Sequence, residues 1–94
     1  MAKTYYVYFL TNWNRKVLYI GITGNLQKRL HQHKTKSIEG FSKRYNATEL
    51  VYFEETADVQ AAIAREKQLK SWSRKKKDFL VNRVNPDWDE IDLG

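Results

Sequence analysis

Five residues of this 94-residue chain have types and placements that could carry chemistry: Tyr8, Tyr19, Arg29, His33 and Glu66. The two tyrosines lie in apolar stretches separated by the turn-like Asn12-Trp13-Asn14-Arg15. A hairpin whose loop has two or four residues pairs positions whose numbers sum to 27, setting Tyr8 opposite Tyr19 with both phenols on one side. Such a pair either stabilises the sheet as a cross-strand aromatic contact or offers two phenols to one site. Arg29 and His33 are four residues apart and close in angle to Leu26 and Leu30, so they border the buried face of a helix. A guanidinium there grips a phosphate with its fork, or snorkels and pairs with an acid. His33 is a structural histidine or an auxiliary acid–base group.

Glu66 lies on a later helix. At about 100° per residue, Val59, Ala62, Ile63 and Leu69 form an apolar stripe, and Glu66 falls near its centre. A carboxylate turned toward a core needs a cation, because desolvating it unpaired is expensive. Arg29, Lys70 one turn on, and a bound metal are the candidates. Lys70, Arg74, Lys75, Lys76 and Lys77, with Trp72 among them, make a basic strip that either grips phosphates or is a solvated helix face. The sequence has no glycine-rich phosphate loop, no HExxH, and no second carboxylate near Glu66 in sequence to suggest a two-metal site.

The elements that must hold these residues follow from pattern. Residues 4–11 (TYYVYFLT) and 17–22 (VLYIGI) read as a β-hairpin, and Asn25 caps a helix over 26–34. A basic loop at 35–46 leads to a third strand at 49–54. Asp58 caps a helix from 59 to about 72, and Ser73 caps another over 74–84, ended by Asn85-Pro86. The expected fold is α/β (α+β) with the order ββαβαα: a small three-stranded sheet, antiparallel at its N-terminal hairpin and flanked by helices.

Ninety-four residues allow one domain, expected over 1–94, with a core over about 3–79 and a C-terminal helix and acidic tail over 80–94. The absence of cysteine excludes disulfides, thiolate metal sites and a cysteine nucleophile. The first apolar stretch is far shorter than the roughly 20 residues that span a bilayer, so no membrane association is expected and the cytoplasm is the default. All 17 Lys and Arg fall within residues 1–83, against 7 acids, while Asp87, Asp89, Glu90 and Asp92 make the tail acidic. A body of net charge +10 suits a polyanion such as nucleic acid, or is simply a basic surface.

Taken together these residues resemble the GIY-YIG nuclease superfamily, in particular its small stand-alone members. Tyr6-Val7-Tyr8 stands where the first motif would be, and Tyr19-Ile20-Gly21 matches the second literally. Arg29 follows in the helix that carries the family's arginine, and Glu66 stands at its metal-binding glutamate; the likeness runs over about residues 3–79 and includes REKQLKSWSRKKK. Tyr6 replaces the first motif's glycine, and Ile22 stands where some relatives place a lysine.

The resemblance implies a metal-dependent endonuclease acting on phosphodiesters, DNA by analogy, in a structure-specific or repair-related role. One Mg2+ (or Mn2+) would be held by Glu66, Tyr8 would act as general base or orient the water, and Tyr19 would hydrogen-bond at the site. Arg29 would stabilise phosphoryl charge, His33 would assist, and Asn82 or Asn85 would take the place of a late positioning asparagine. A separate recognition domain is missing from the residues present, so a protein partner could supply specificity. The rival expectation is a nucleic-acid-binding module that keeps the scaffold without turnover.

Overall fold

The computed structural model describes residues 3–37 and 40–93, apart from the side chains of Phe41 and Ser42; residues 38 and 39 of the basic loop lie outside this description. Its elements are β1 (Tyr5–Thr11), β2 (Leu18–Thr23), α1 (Leu26–Lys34), α2 (Phe41–Arg44), β3 (Glu49–Thr56), α3 (Val59–Ser71) and α4 (Arg74–Val84). The order is ββαβαα as expected, with α2 as one added helical turn inside the basic loop. Each long helix starts where a short polar side chain takes an orphan amide: Asn25 accepts from Lys28 N, Asp58 from Gln60 N, and Ser73 from Lys76 N.

The sheet is antiparallel throughout, in the order β2-β1-β3, so β1 is central and β2 forms one edge. The hairpin register corrects the expectation. Tyr8 pairs with Gly21, and Tyr19 with Leu10, two residues away from direct opposition. The cause is the connection over 12–17, closed by side-chain bonds and one backbone turn bond rather than by further ladder bonds. Thr11 Oγ1 donates to Val17 O at 2.7 Å, Val17 N donates to Asn12 Oδ1 at 3.2 Å, and Arg15 N donates to Asn12 O at 3.0 Å. Because strand side chains alternate with period two, a two-residue shift keeps the face, and Tyr8 and Tyr19 remain on one side as diagonal neighbours.

Helices cover both faces. Val7, Phe9, Ile20 and Val51 pack with Ala62 and Leu69 of α3 and Val81 of α4, while Tyr8, Leu10 and Leu50 pack with Leu26 of α1 and Ala47. Helix α4 runs through the boundary expected at residue 79 and puts Val81 into the core. The acidic tail folds back over the α1 face: Ile91 N donates to Leu50 O at 2.8 Å, and Ile91 and Leu93 pack on that core. Between Phe9 and Leu10 the β1–β3 register slips, leaving Val51 without a partner on β1. Its carbonyl accepts from Asn85 Nδ2 at 3.0 Å instead. No helix among the described residues is long and apolar enough to cross a membrane.

Candidate active site

The site begins with a missing side chain. A Cβ on Gly21 would fall 2.4 Å from Tyr8 Oη, 2.5 Å from Tyr8 Cζ and 3.0 Å from Tyr19 Cε1. Glycine is therefore what lets the Tyr8 phenol lie across β2. The only sequence signal for this role is a glycine inside an otherwise β-rich strand.

Tyr8 is fully buried and hydrogen-bonded to His33 Nε2 at 2.9 Å. The three rings close on one another, with centroids 6.2 Å apart for Tyr8–Tyr19, 5.7 Å for Tyr8–His33 and 5.2 Å for Tyr19–His33. Burial pushes the Tyr8 pKa well above the ordinary phenol range, Tyr19 pushes the same way, Arg29 opposes, and Glu66 adds a smaller push upward. His33 is 1% exposed, which corrects the expectation that it borders the core. Burial first, and then the Arg29 charge, hold its pKa below the usual histidine value, so it is neutral near pH 7. Tyr19 and Arg29 are half-buried and reach the surface.

Glu66 completes the group from the other side. Helix α3 packs chiefly on β2 and β1, which brings the Glu66 charge to bear on Tyr8. Its side chain is 16% exposed, and its ion-pair partner is Lys70 at 3.6 Å rather than Arg29. The apolar stripe of α3 is narrower than expected: Ala62 and Leu69 are buried, Ile63 is half-buried, and Val59 in the first turn is exposed. Arg29 instead lines a cleft of about 460 Å3 with Lys3 and Lys28, and no acid lines it. A larger cleft of about 600 Å3, beneath the acidic tail, contains none of the five residues.

The basic strip divides. Lys75 and Lys76 are exposed, Lys77 is half-buried, and Lys76 lies over the Trp72 ring at 4.9 Å. Arg74 is a structural clasp: Nε donates to Asp78 Oδ1 at 2.7 Å, Nη1 to Lys16 O at 2.8 Å and Nη2 to Arg15 O at 2.7 Å. The two late asparagines also hold structure. Asn85 bonds Val51 O on β3, the strand on the far side of β1 from β2, and Asn82 Oδ1 accepts from Trp88 Nε1 at 2.6 Å.

Among the described residues no three His, Cys, Asp or Glu side chains gather to hold a metal. A closed structural site does not fit this donor set. Mg2+ does, because it keeps several waters and binds through one or two carboxylates together with substrate phosphate oxygens. Glu66 would be the protein ligand, with the exposed Lys70 ammonium swinging aside.

The edge strand of a small antiparallel sheet thus carries Tyr19-Ile20-Gly21, with a buried tyrosine behind it and an arginine and a glutamate on flanking helices. The family model for the GIY-YIG catalytic domain matches residues 4–78, and the chain belongs to the GIY-YIG family. Within it, the chain is similar to UPF0213 proteins. It is 36% identical over 81 residues to one from Natronomonas pharaonis, covering 86% of this chain and 94% of that one. It is 35% identical over 88 residues to one from Syntrophus aciditrophicus, covering 93% and 98%. The solution NMR structure of a UPF0213 protein from Bacillus halodurans matches with a TM-score of 0.59 at 23% identity, over 93% of this chain and 92% of that one, a likeness of fold.

Proposed function

We propose that this chain is a metal-dependent endonuclease that hydrolyses phosphodiester bonds in DNA. The observation that carries the reading is the buried Tyr8 phenol, hydrogen-bonded to His33 Nε2 at 2.9 Å in the gap left by Gly21, with the opposite charges of Arg29 and Glu66 both bearing on it. The basic cleft beside Arg29 supports a phosphate ligand.

In this reading the two tyrosines divide the task according to their burial. Tyr8 has no exposed surface and is held protonated at rest, so it relays a proton, and half-buried Tyr19 is the phenol that meets the attacking water. The water's proton enters the Tyr19–Tyr8 pair and ends on His33 Nε2 as Tyr8 donates to it. The water oxygen bonds to phosphorus while the bond to the leaving sugar oxygen breaks, and that oxygen carries away the electron pair. Arg29 faces the charge gathering on the phosphoryl oxygens. A divalent ion held by Glu66 would polarise the phosphate and stabilise the leaving oxygen.

Glu66→Gln tests this. The wild type is expected to cleave plasmid or branched DNA only with Mg2+ or Mn2+, and the variant to lose that cleavage by at least about 100-fold. Binding should persist, and stability should change by less than about 1 kcal/mol, since the part-exposed Lys70 pair is worth little. Full activity per folded molecule in the variant would remove Glu66 as a ligand. Wild-type binding without metal-dependent cleavage would leave a binding module.

A further inference from the structure

The three tryptophans of this chain have different surroundings. Trp72 is half-buried beneath Arg65 and Lys76, and Trp88 is half-buried beneath Arg74. Trp13, in the turn between β1 and β2, is 82% exposed. A large apolar ring left in water is unfavourable, and solvent-exposed loops normally carry small polar residues at such a position.

This turn is also braced far beyond what a hairpin needs. Besides the bonds that close it, Lys16 N donates to Asn14 Oδ1 at 3.2 Å, and Arg15 is held in the left-handed region at φ 60°. Arg74 reaches from α4 to the carbonyls of Arg15 and Lys16, and Arg15 Nη2 donates to Asp87 O at 3.0 Å. Helix α4 and the segment after it thus fix a loop whose most prominent side chain touches solvent. Rigid presentation of an aromatic ring reduces the entropy lost on binding. The loop's free charges are cationic: Lys16 is exposed with no ion-pair partner among the described residues, and exposed Lys75 follows the clasping Arg74. The turn runs directly into β2, so Trp13 is held at the Tyr19 end of the site's own hairpin.

We infer that this turn is a stacking platform for single-stranded nucleic acid: the Trp13 ring receives an unpaired base while Lys16 meets the adjoining phosphate. The inference rests on the nucleic-acid reading above and adds a substrate class to it, strands with an unpaired segment beside the scissile bond. Every base has a π-face, so the contact would carry no sequence preference, and it would be closed to the bases of an intact duplex.

The test compares wild type, Trp13→Ala and Trp13→Phe for binding to a labelled single-stranded oligonucleotide and to a blunt duplex, by anisotropy at one salt concentration in EDTA. Trp13→Ala should weaken single-strand binding by about tenfold or more, change duplex binding by less than about twofold, and remove most of the tryptophan quenching that the single strand causes. Trp13→Phe should retain most of the affinity. Trp13 packs on no core cluster, so both variants should keep the fold. Unchanged single-strand affinity in Trp13→Ala, or equal loss on both probes, would overturn the platform and leave the nuclease reading standing. A wild type that binds neither probe would overturn both. Self-association abolished by Trp13→Ala, with oligonucleotide binding unchanged, would assign the ring to a contact between copies instead.

Discussion

Two tyrosines in this molecule are buried, hydrogen-bonded to a titratable partner and pushed above the ordinary phenol range by burial, yet they sit in opposite kinds of environment. Tyr52 on β3 donates to Glu54, and Glu54 accepts from Arg65 Nε at 2.8 Å and Nη2 at 2.9 Å. Arg65 Nη1 continues to Gln68 at 2.9 Å, and its guanidinium lies over Trp72 at 5.3 Å. Desolvation alone would raise the Glu54 pKa, but the bonds from Arg65 and Tyr52 outweigh it and hold the carboxylate ionised. That cluster is closed, with opposite charges meeting in a bidentate pair. Around Tyr8 the arrangement stays open: its partner is a neutral imidazole, and the nearby Arg29 and Glu66 act on it without pairing with each other. The Tyr52 network is electrically complete around its own carboxylate, whereas Tyr8 has an uncharged partner and two opposite charges acting on it from different helices, the kind of arrangement found at functional sites.

Parallel deletions are the sharpest way to break this contrast. Tyr8→Phe is expected to lower Mg2+-dependent cleavage by about 10²- to 10⁴-fold, while Tyr52→Phe changes it by less than about twofold and costs stability of about 1 kcal/mol. Comparable cleavage losses in the two variants would erase the distinction. Gly21→Ala should come next, because its Cβ would collide with the Tyr8 phenol. Overpacking there should cost about 1–3 kcal/mol and displace Tyr8 from His33, so both thermal unfolding and cleavage should suffer. Wild-type behaviour on both measures would mean the phenol has room to move.

Acidity should separate the two regions without mutation. His33 has a folded pKa below its ordinary value of 6.5, so the unfolded chain takes up that proton more readily. The stability it contributes is complete above about pH 6.5 and is lost as pH falls through the folded pKa. Glu54, also depressed, keeps its contribution down to its ordinary value of 4.5 and loses it only below. Urea unfolding followed from pH 7.5 to 5 should therefore show a decline that His33→Gln reduces and Glu54→Gln leaves in place. The smallest effect is expected in the strip outside both clusters. Lys75→Ala with Lys76→Ala should lower the salt slope of duplex binding by about 0.9 for each phosphate that the strip no longer neutralises, with no change in sequence preference. An unaltered slope would make these lysines a solvated helix face.

Local chemistry was legible in the residues themselves. Asn25, Asp58 and Ser73 cap the helices expected of them, because a cap depends on a side chain and amides two or three positions away. The common face of Tyr8 and Tyr19 was also legible, since it depends only on strand parity, which the two-residue register shift preserves. What the tertiary structure decided were properties set by distant neighbours. Burial makes His33 a neutral partner for Tyr8 and withdraws Tyr8 from water, which helix periodicity and strand alternation do not specify. Arg74 looks like its lysine neighbours in sequence, yet it clasps a turn that lies 58 residues earlier in the chain. Asn85 looks like a site residue, yet a register slip on β3 leaves a carbonyl that takes up its amide. Glu66 is paired with Lys70 on its own helix, and its bearing on Tyr8 exists only because α3 packs on β2 and β1. Capping and alternation act over one to four residues of chain, whereas desolvation and electrostatic complementarity depend on what the folded chain brings together from far apart.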